Sequence, residues 1–268
     1  MKHRVCELLA ACSVFCSILA SMAYGAAEKA EPYWVGPMKR VHARFTGQAG
    51  TIAQYGDSIT HSRAFFSQLF WGDYKGDVDL KRFRRLAVES CKDWKGTEHC
   101  NMGGWTVNDC LNAVGPALKN ENPAVAFLMI GTNDVDHPAD PAKANFAANL
   151  TRLVQTILDN GTVVVLHTIP PKRGREAAVE RYNEVIREVA RKTQVPLIDY
   201  YAEIIKRRPK DWDGSLISPD GVHPSYPQEY QKDFTEKGLR ESGYTLRDYL
   251  LVKTYFQLAD SLGVGRKN

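Results

Sequence analysis

Short apolar runs alternate with longer amphipathic segments along most of this chain. The clearest run, Ala124 to Ile130, contains no polar residue, and Thr162 to Leu166 is a second run of the same kind. Uninterrupted apolar runs are typical of strands that are covered on both faces of a parallel sheet. Chains that alternate such strands with helices place the helices on both sides of the sheet. The sequence therefore predicts an α/β fold, a single three-layer α/β/α domain with a central parallel sheet.

The other elements follow from the same patterns, because apolar residues spaced by three or four positions indicate amphipathic helices. Further strands are predicted over Thr51–Tyr55 and Val195–Asp199, a short strand over His99–Asn101, and helices over Ser62–Phe70, Leu80–Val88, Val107–Leu118, 141–159, Arg175–Lys192 and Leu246–Leu262. The 268 residues contain no internal repeat and no linker that would separate two domains. One large domain is therefore expected.

Composition argues against two classes of partner. The formal charge is only +4, and no basic cluster is interleaved with aromatic residues in the way that a nucleic-acid groove requires. Beyond the N-terminus, no segment reaches the roughly 18 consecutive apolar residues of a membrane-spanning helix. We therefore expect no nucleic-acid partner and no stable membrane insertion.

The N-terminus has the pattern of a secretory signal peptide. Lys2 and Arg4 precede a mostly apolar stretch from Leu8 to Ala20, and the small residues around Gly25 favour cleavage before Ala26. This pattern predicts a signal peptide over residues 1–25, a mature domain over residues 26–268, and a secreted or periplasmic location.

A lipoprotein signal is the alternative reading of the same segment. Leu9-Ala10-Ala11-Cys12 resembles a lipoprotein cleavage site, but its apolar stretch would then be only about seven residues long and would include Glu7. The ordinary signal peptide is therefore the preferred prediction.

Three cysteines lie beyond the predicted signal, at Cys91, Cys100 and Cys110. An odd number allows at most one internal disulfide, and the sequence leaves its pairing open. A metal site built from these cysteines and His99 fits no zinc spacing, so we expect no bound metal.

Four short polar segments carry the chemistry. They are Gly56-Asp57-Ser58-Ile59-Thr60, Asn101-Met102-Gly103-Gly104, Gly131-Thr132-Asn133-Asp134 and Asp220-Gly221-Val222-His223-Pro224. Together they contain a serine, two candidate oxyanion donors and an Asp/His pair, which is the set needed for acyl transfer through a serine nucleophile. Two of the segments directly follow predicted strands, so both should lie beyond the carboxyl edge of the sheet, where open α/β sheets bind ligands.

The four segments, in this order, resemble the conserved blocks of the SGNH hydrolases, also called GDSL-like esterases or lipases. The resemblance extends over about residues 50–262 and implies a serine esterase that needs no metal and no cofactor. It implies that Ser58 is the nucleophile, His223 the general base and Asp220 the carboxylate that orients the histidine. The surroundings of Ser58 differ from the Gly-x-Ser-x-Gly elbow of the α/β-hydrolases, which favours the SGNH arrangement.

The same resemblance implies an oxyanion hole made by the backbone N–H of Ser58, the backbone N–H of a glycine in the second segment, and the Asn133 side chain. Family members usually separate two glycines by a couple of residues, whereas Gly103 and Gly104 are adjacent here. Thr106 stands where a threonine often follows the second glycine, so Gly104 is the predicted donor. Trp105, directly after it, is the predicted substrate-contacting residue.

Each segment also has a purely structural interpretation. Ser58 could cap a helix that begins near Ser62, and Asp220 could simply shape an Asp-Gly turn. Asp57 and Asp134 are predicted to stabilise loops through backbone hydrogen bonds.

The substrate is predicted from weaker signals. Secretion and a polar neighbourhood favour a small acyl group, acetyl above all, on a carbohydrate. The alternatives are a lysophospholipase or thioesterase of the same mechanism, which would need an apolar channel, and a non-catalytic glycan-binding protein on the same fold. A charged segment, Pro227 to Ser242, is either a rim over the cleft or a solvated helix.

Overall fold

The computed structural model describes residues 30–89, 96–136 and 142–265, without the side chains of residues 89 and 142–144. The chain from Tyr33 onward forms one compact unit. The predicted signal peptide, the lipoprotein alternative and Cys91 lie outside the described residues, and they remain predictions.

The centre of this unit is a five-stranded sheet in the order β2-β1-β3-β4-β5. The strands are β1 (Thr51–Gly56), β2 (Val88–Glu89), β3 (Val125–Met129), β4 (Val163–His167) and β5 (Leu197–Ile198). All four pairings are parallel. Every residue of β1, β3 and β4 is buried, which explains the apolar runs of β3 and β4. The predicted fold class is confirmed.

Helices cover both faces of the sheet. They are α1 (Val35–His42), α2 (Ser58–His61), α3 (Leu80–Leu86), α4 (Val107–Glu121), α5 (Ala142–Asp159), α6 (Glu176–Thr193), α7 (Tyr200–Arg207), α8 (Glu236–Glu241) and α9 (Gly243–Leu262). Helices α4, α5 and α6 pack side by side, whereas α1, α3, α7 and α8 contact α9. Crossovers between parallel strands are right-handed, so the steps from β2 to β3, from β3 to β4 and from β4 to β5 place their helices on one face. The step from β1 back to β2 places α3 on the other.

One predicted helix, Ser62–Phe70, is wrong. The chain instead forms the single-turn α2 directly after β1 and a 3₁₀ helix over Ser67–Phe70. Phe66 between them adopts φ +70°, and its N–H donates to the Asp248 carboxylate of α9 at 2.8 Å. A distant partner therefore overrides the local helical pattern.

Other boundaries also differ. The helix predicted to reach Val88 ends at Leu86, because Val88 pairs with β1 as an edge strand. The strand predicted over His99–Asn101 is a 3₁₀ helix over Thr97–His99, followed by isolated bridges from Asn101 to Gly56 and to Gly96. The sequence patterns missed α1 and α7.

The charged segment Pro227 to Ser242 contains a 3₁₀ helix over Gln228–Tyr230 and then α8. It joins an earlier loop, since Lys75 donates its N–H to Lys232 and accepts one from Phe234, at 3.0 and 2.9 Å. Phe234 is buried, so the segment is a packed part of the unit. Its role as a rim remains a prediction.

No helix in the described ranges combines the length and the apolar character that crossing a membrane requires. Among the same residues, no group of three or more histidine, cysteine, aspartate or glutamate side chains could hold a metal ion. Cys100 and Cys110 are buried free thiols.

Helix α9 carries a fully buried carboxyl group, Asp248. Burial raises its pKa to about 7, although hydrogen bonds from the Phe66 N–H and the Gln68 side chain oppose the shift. A carboxyl whose pKa is higher in the folded than in the unfolded chain stabilises the fold when it is protonated.

We therefore expect Asp248 to stabilise the fold fully below about pH 4, the ordinary aspartate pKa, and to lose this contribution as the pH rises through 7. Urea unfolding of the native chain and of Asp248→Asn at pH 5 and pH 8 measures the effect. The native chain should lose more unfolding free energy between the two values than Asp248→Asn, whose amide is neutral at both. Equal losses would contradict the assignment.

Candidate active site

The predicted nucleophile and the predicted oxyanion asparagine follow neighbouring strands. Strands β1 and β3 run in register, so that Gly56 lies opposite Met129 at their carboxyl ends. Ser58 comes two residues after Gly56, and Asn133 four residues after Met129. Both therefore lie at the carboxyl edge of the sheet, as the sequence predicts.

The turn before Ser58 requires glycine. Gly56 has φ +155°, and a Cβ atom there would lie 2.2 Å from the Met129 carbonyl oxygen and 2.6 Å from Thr60 Oγ1. Next along the chain, Asp57 caps α2, because its Oδ1 accepts the Ile59 N–H at 3.0 Å. Ser58 is thus the first residue of α2, and the interpretation that it caps a helix near Ser62 is wrong.

A continuous chain of hydrogen bonds links three predicted residues. Ser58 Oγ lies 2.9 Å from His223 Nε2, and His223 Nδ1 lies 2.7 Å from Asp220 Oδ2. The structure therefore brings together a serine and a histidine that are 165 positions apart in the sequence. This is the arrangement in which a histidine can take a proton from a serine hydroxyl.

Asp220 is held by its own turn. Its Oδ1 accepts the N–H groups of Val222 and His223 at 2.9 and 3.0 Å, and the Ser218 hydroxyl at 2.8 Å. Partial burial opposes ionisation, but these hydrogen bonds outweigh it and hold the pKa of the Asp220 carboxyl well below its usual value. Asp220 is therefore an anion wherever the protein is folded near neutral pH.

Backbone donors surround Ser58. The N–H groups of Ser58, Gly103 and Gly104 have no acceptor among the described residues. A Cβ atom built on Gly103 would lie 3.7 Å from Ser58 Cβ, so the glycine pair lies against the serine. Asn133 donates one amide hydrogen to the Trp105 carbonyl at 2.8 Å, which orients the side chain and leaves its second hydrogen available.

Asp57 and Asp134 occupy the structural places that the sequence predicts. Asp57 is fully buried as the cap of α2, and burial raises its pKa despite the N–H of Ile59. The Asp134 carboxylate accepts the N–H of Val107, the first residue of α4, at 3.2 Å. Each carboxylate stabilises the start of a helix.

A family model described as "GDSL-like Lipase/Acylhydrolase family" matches residues 55–227 of the chain. The chain belongs to this family. The predicted resemblance to the SGNH hydrolases is confirmed, and with it the predicted enzyme class at the level of the family, that of serine-dependent ester hydrolases.

Solved structures of this family share the fold. The lipase/acylhydrolase from Enterococcus faecalis is 22% identical, with a TM-score of 0.55 over 76% of this chain and 94% of that chain. The acetyl xylan esterase AlAXEase is 18% identical, with a TM-score of 0.55 over 76% of this chain and 98% of that chain. A GDSL-like lipase from Bacteroides thetaiotaomicron is 17% identical, with a TM-score of 0.55 over 85% and 99% of the two chains.

One curated relative is similar in sequence, the lipoprotein YqeF of Bacillus subtilis. It is 24% identical over 155 residues, and the match covers 47% of this chain and 64% of the relative. The match therefore spans less than two thirds of that protein.

In this GDSL-like chain, a loop that the sequence analysis did not single out supports two of the predicted segments. Lys172, in the loop after β4, donates to the Thr132 carbonyl at 3.1 Å and pairs with Asp136, so it holds the loop that carries Asn133. The N–H of the next residue, Arg173, donates to the Gly221 carbonyl at 2.8 Å. The loop was detectable from sequence, because it follows a predicted strand and must lie at the same edge of the sheet.

Arg247 of α9 supports the turn that carries Ser58, the predicted nucleophile, in the same way. It is fully buried, and its guanidinium donates to the Ile59 carbonyl at 3.1 Å and to Thr60 Oγ1 at 3.0 Å. The guanidinium also stacks on the Phe65 ring at 3.6 Å. Burial lowers the pKa of Arg247 to about 10, so the side chain stays charged at neutral pH. A single arginine within a long helix gives no sequence signal that it will bind the turn of Ser58.

We expect Arg247→Met to lower kcat by about tenfold to a hundredfold, because α2 loses the donors that fix Ser58. Unfolding free energy should fall by about 3 kcal/mol, since buried carboxyl groups lose their countercharge. Steady-state kinetics and urea unfolding measure both effects. KM should change much less than kcat, and Arg247→Lys should recover part of the activity.

Arg240→Met is the matched control, because Arg240 is exposed in α8. It should leave both quantities near native values. An Arg247→Met enzyme with native kcat would contradict the positioning role.

Proposed function

We propose that this chain is a secreted serine esterase that hydrolyses O-acyl esters, acetyl esters above all, on carbohydrates. Ser58 is the nucleophile, His223 the general base and Asp220 the carboxylate of the triad. The observation that carries the proposal is the unbroken chain of hydrogen bonds at 2.9 and 2.7 Å through His223.

The steps of the reaction follow from these hydrogen bonds. Ser58 Oγ attacks the ester carbonyl while its proton passes to His223 Nε2, and the same histidine then gives that proton to the departing alcohol. Water attacks the acyl-serine in the second half, again with His223 as base, and restores the free enzyme. Asp220, ionised and bonded to Nδ1, keeps the ring in the tautomer whose Nε2 can accept.

The developing oxyanion needs donors that are already in place. The proposed set is the backbone N–H of Ser58, that of Gly104 and the side-chain amide of Asn133. The N–H groups of Ser58 and Gly104 have no acceptor among the described residues, which supports the first two donors. The hydrogen bond from Asn133 to the Trp105 carbonyl supports the third. A donor of this kind is worth about 3–4 kcal/mol of barrier.

Two observations support a short acyl group on a sugar. The side chains of His223 and Asp220 are 40% and 50% exposed, so the reacting groups lie in an open site. Such a site admits a bulky hydrophilic alcohol and covers little of a long acyl chain. The similar structures include an acetyl xylan esterase and an acetyl-xylooligosaccharide esterase.

The secreted location rests on the N-terminal pattern of charged, apolar and small residues. The similarity to a protein named as a lipoprotein supports a location outside the cytoplasm. It also keeps lipidation at Cys12 as the alternative. Mass spectrometry of the processed protein distinguishes an N-terminus at Ala26 from a lipidated Cys12.

Ser58→Ala should abolish ester hydrolysis, because Ser58 carries the hydroxyl that is hydrogen-bonded to His223 Nε2. Asn133→Ala should lower kcat by about 10²–10³ with little change in KM, since its amide acts on the transition state. Initial rates on p-nitrophenyl acetate measure both. Ser67→Ala is the control and should keep native rates, because the Ser67 hydroxyl donates to the Arg63 carbonyl and not to a residue of the proposed site.

A series of p-nitrophenyl esters from acetyl to palmitoyl tests the acyl group. We expect kcat/KM to be highest for acetyl and to fall steadily with chain length, because the open site covers little apolar surface. A maximum at long chains would replace the proposal with the lipid or thioester hydrolase. No turnover of any ester, together with glycan binding, would favour the non-catalytic alternative.

A further inference from the structure

A cleft of about 410 Å³ lies between the 3₁₀ helix Thr97–His99 and the first three turns of α4. Its lining includes Glu98, Trp105, Asp109 and Asn112. The proposed triad and oxyanion donors do not line this cleft, so it is a separate feature of the surface.

The cleft is nevertheless joined to the proposed active site. Trp105, in its wall, accepts the Asn133 amide through its backbone carbonyl at 2.8 Å. Gly103, which lies against Ser58, is only two residues earlier, and two residues span at most about 7 Å. The cleft is therefore within reach of a polymeric substrate whose ester lies at Ser58.

The wall has the chemistry of a sugar site. Trp105 is half-buried and packs against the core, so its indole is held in place while part of it faces the cleft. An apolar aromatic face stacks on the C–H face of a sugar ring. Glu98 and Asn112 are exposed, and neither side chain has a hydrogen-bond partner among the described residues. They offer a carboxylate and an amide to sugar hydroxyl groups.

The charged side chains that line the cleft favour a neutral sugar over an anionic one. Two carboxylates, Glu98 and Asp109, line the cleft, and no lysine, arginine or histidine does so among the described residues. Asp109 is fixed, because its Oδ2 accepts the N–H and the hydroxyl of Thr106 at 2.8 and 2.7 Å. An anionic sugar would meet these carboxylates with no countercharge from the described lining, whereas a neutral sugar would use them as acceptors.

We propose that this cleft is a subsite for neutral sugar units of the acylated glycan, next to the unit that carries the ester. The inference rests on the proposed function and extends it. It assigns the glycan specificity to Trp105, Glu98 and Asn112, and it predicts discrimination against glycans that contain uronic acids.

The proposal can be tested by placing a large side chain in the cleft from an exposed position of α4. Asn112→Trp places an indole in the cleft, and Asn120→Trp, on the same helix but outside the cleft, is the matched control. Kinetics are compared on acetylated xylo-oligosaccharide, a neutral glycan, and on p-nitrophenyl acetate, which is too small to reach the cleft.

We expect Asn112→Trp to lower kcat/KM on the acetylated xylo-oligosaccharide by at least tenfold, mainly through KM, and to leave p-nitrophenyl acetate unchanged. Asn120→Trp should change neither. Native rates on both substrates for Asn112→Trp would overturn the subsite, and equal losses on both would also overturn it as a glycan-specific site.

The preference for neutral sugars can be tested with acetylated pectin oligosaccharides, whose galacturonate units are anionic. The native enzyme should prefer the neutral glycan, and Glu98→Gln should reduce that preference by several-fold without changing hydrolysis of p-nitrophenyl acetate. An unchanged preference would overturn the role of Glu98.

A binding measurement separates this inference from the esterase proposal. Calorimetry of Ser58→Ala with unacetylated xylo-oligosaccharide should detect binding that the added Asn112→Trp change abolishes. If the native protein hydrolyses no ester but Ser58→Ala still shows this binding, only the esterase proposal fails. If esters are hydrolysed and no such binding is seen, only the subsite fails.

Discussion

The contact between the ends of β1 and β3 is the constraint on which the site depends. Gly56 and Met129 lie in register, and the Met129 carbonyl occupies the space that any side chain at Gly56 would need. Because the backbones meet this closely, the chain can turn at once into α2 and present Ser58 beside the loop that carries Asn133. A single added methyl group would force these two loops apart.

No disulfide joins the loops at this edge in the described chain, and hydrogen bonds from three basic residues hold them together instead. Arg247 binds the turn that carries Ser58, Lys172 binds the loop of Asn133, and the backbone of Arg173 binds the turn that carries Asp220. Gly221 permits the last contact, since a Cβ there would lie 2.7 Å from Arg173 Cβ. Burying a charged arginine is costly, and here its hydrogen bonds and its stacking on Phe65 offset that cost.

The proposed chemistry is confined to a small, open part of this edge, while the cleft beside Trp105 offers a place for the rest of a substrate. Trp105 belongs to both regions, because its carbonyl orients Asn133 and its ring lines the cleft. A ligand in the cleft would therefore contact the same short segment that orients Asn133, the proposed oxyanion donor. This arrangement suits an enzyme that recognises a polymer mainly through its alcohol portion.

The sequence alone determined the fold class, the buried strands and the segments that hold Ser58, Asn133, Asp220 and His223. Uninterrupted apolar runs report burial on both faces, and parallel strands place the loops after them at one edge, so local patterns carried this information. Only the tertiary structure decided the path from Ser58 to Phe70, because Phe66 and Gln68 bind Asp248, about 180 residues away. It also decided which basic residues support the site, since Arg247 and Lys172 act through contacts between distant segments. Hydrogen bonds of that kind leave no periodic trace in a sequence, whereas the burial of a strand or a helix face does.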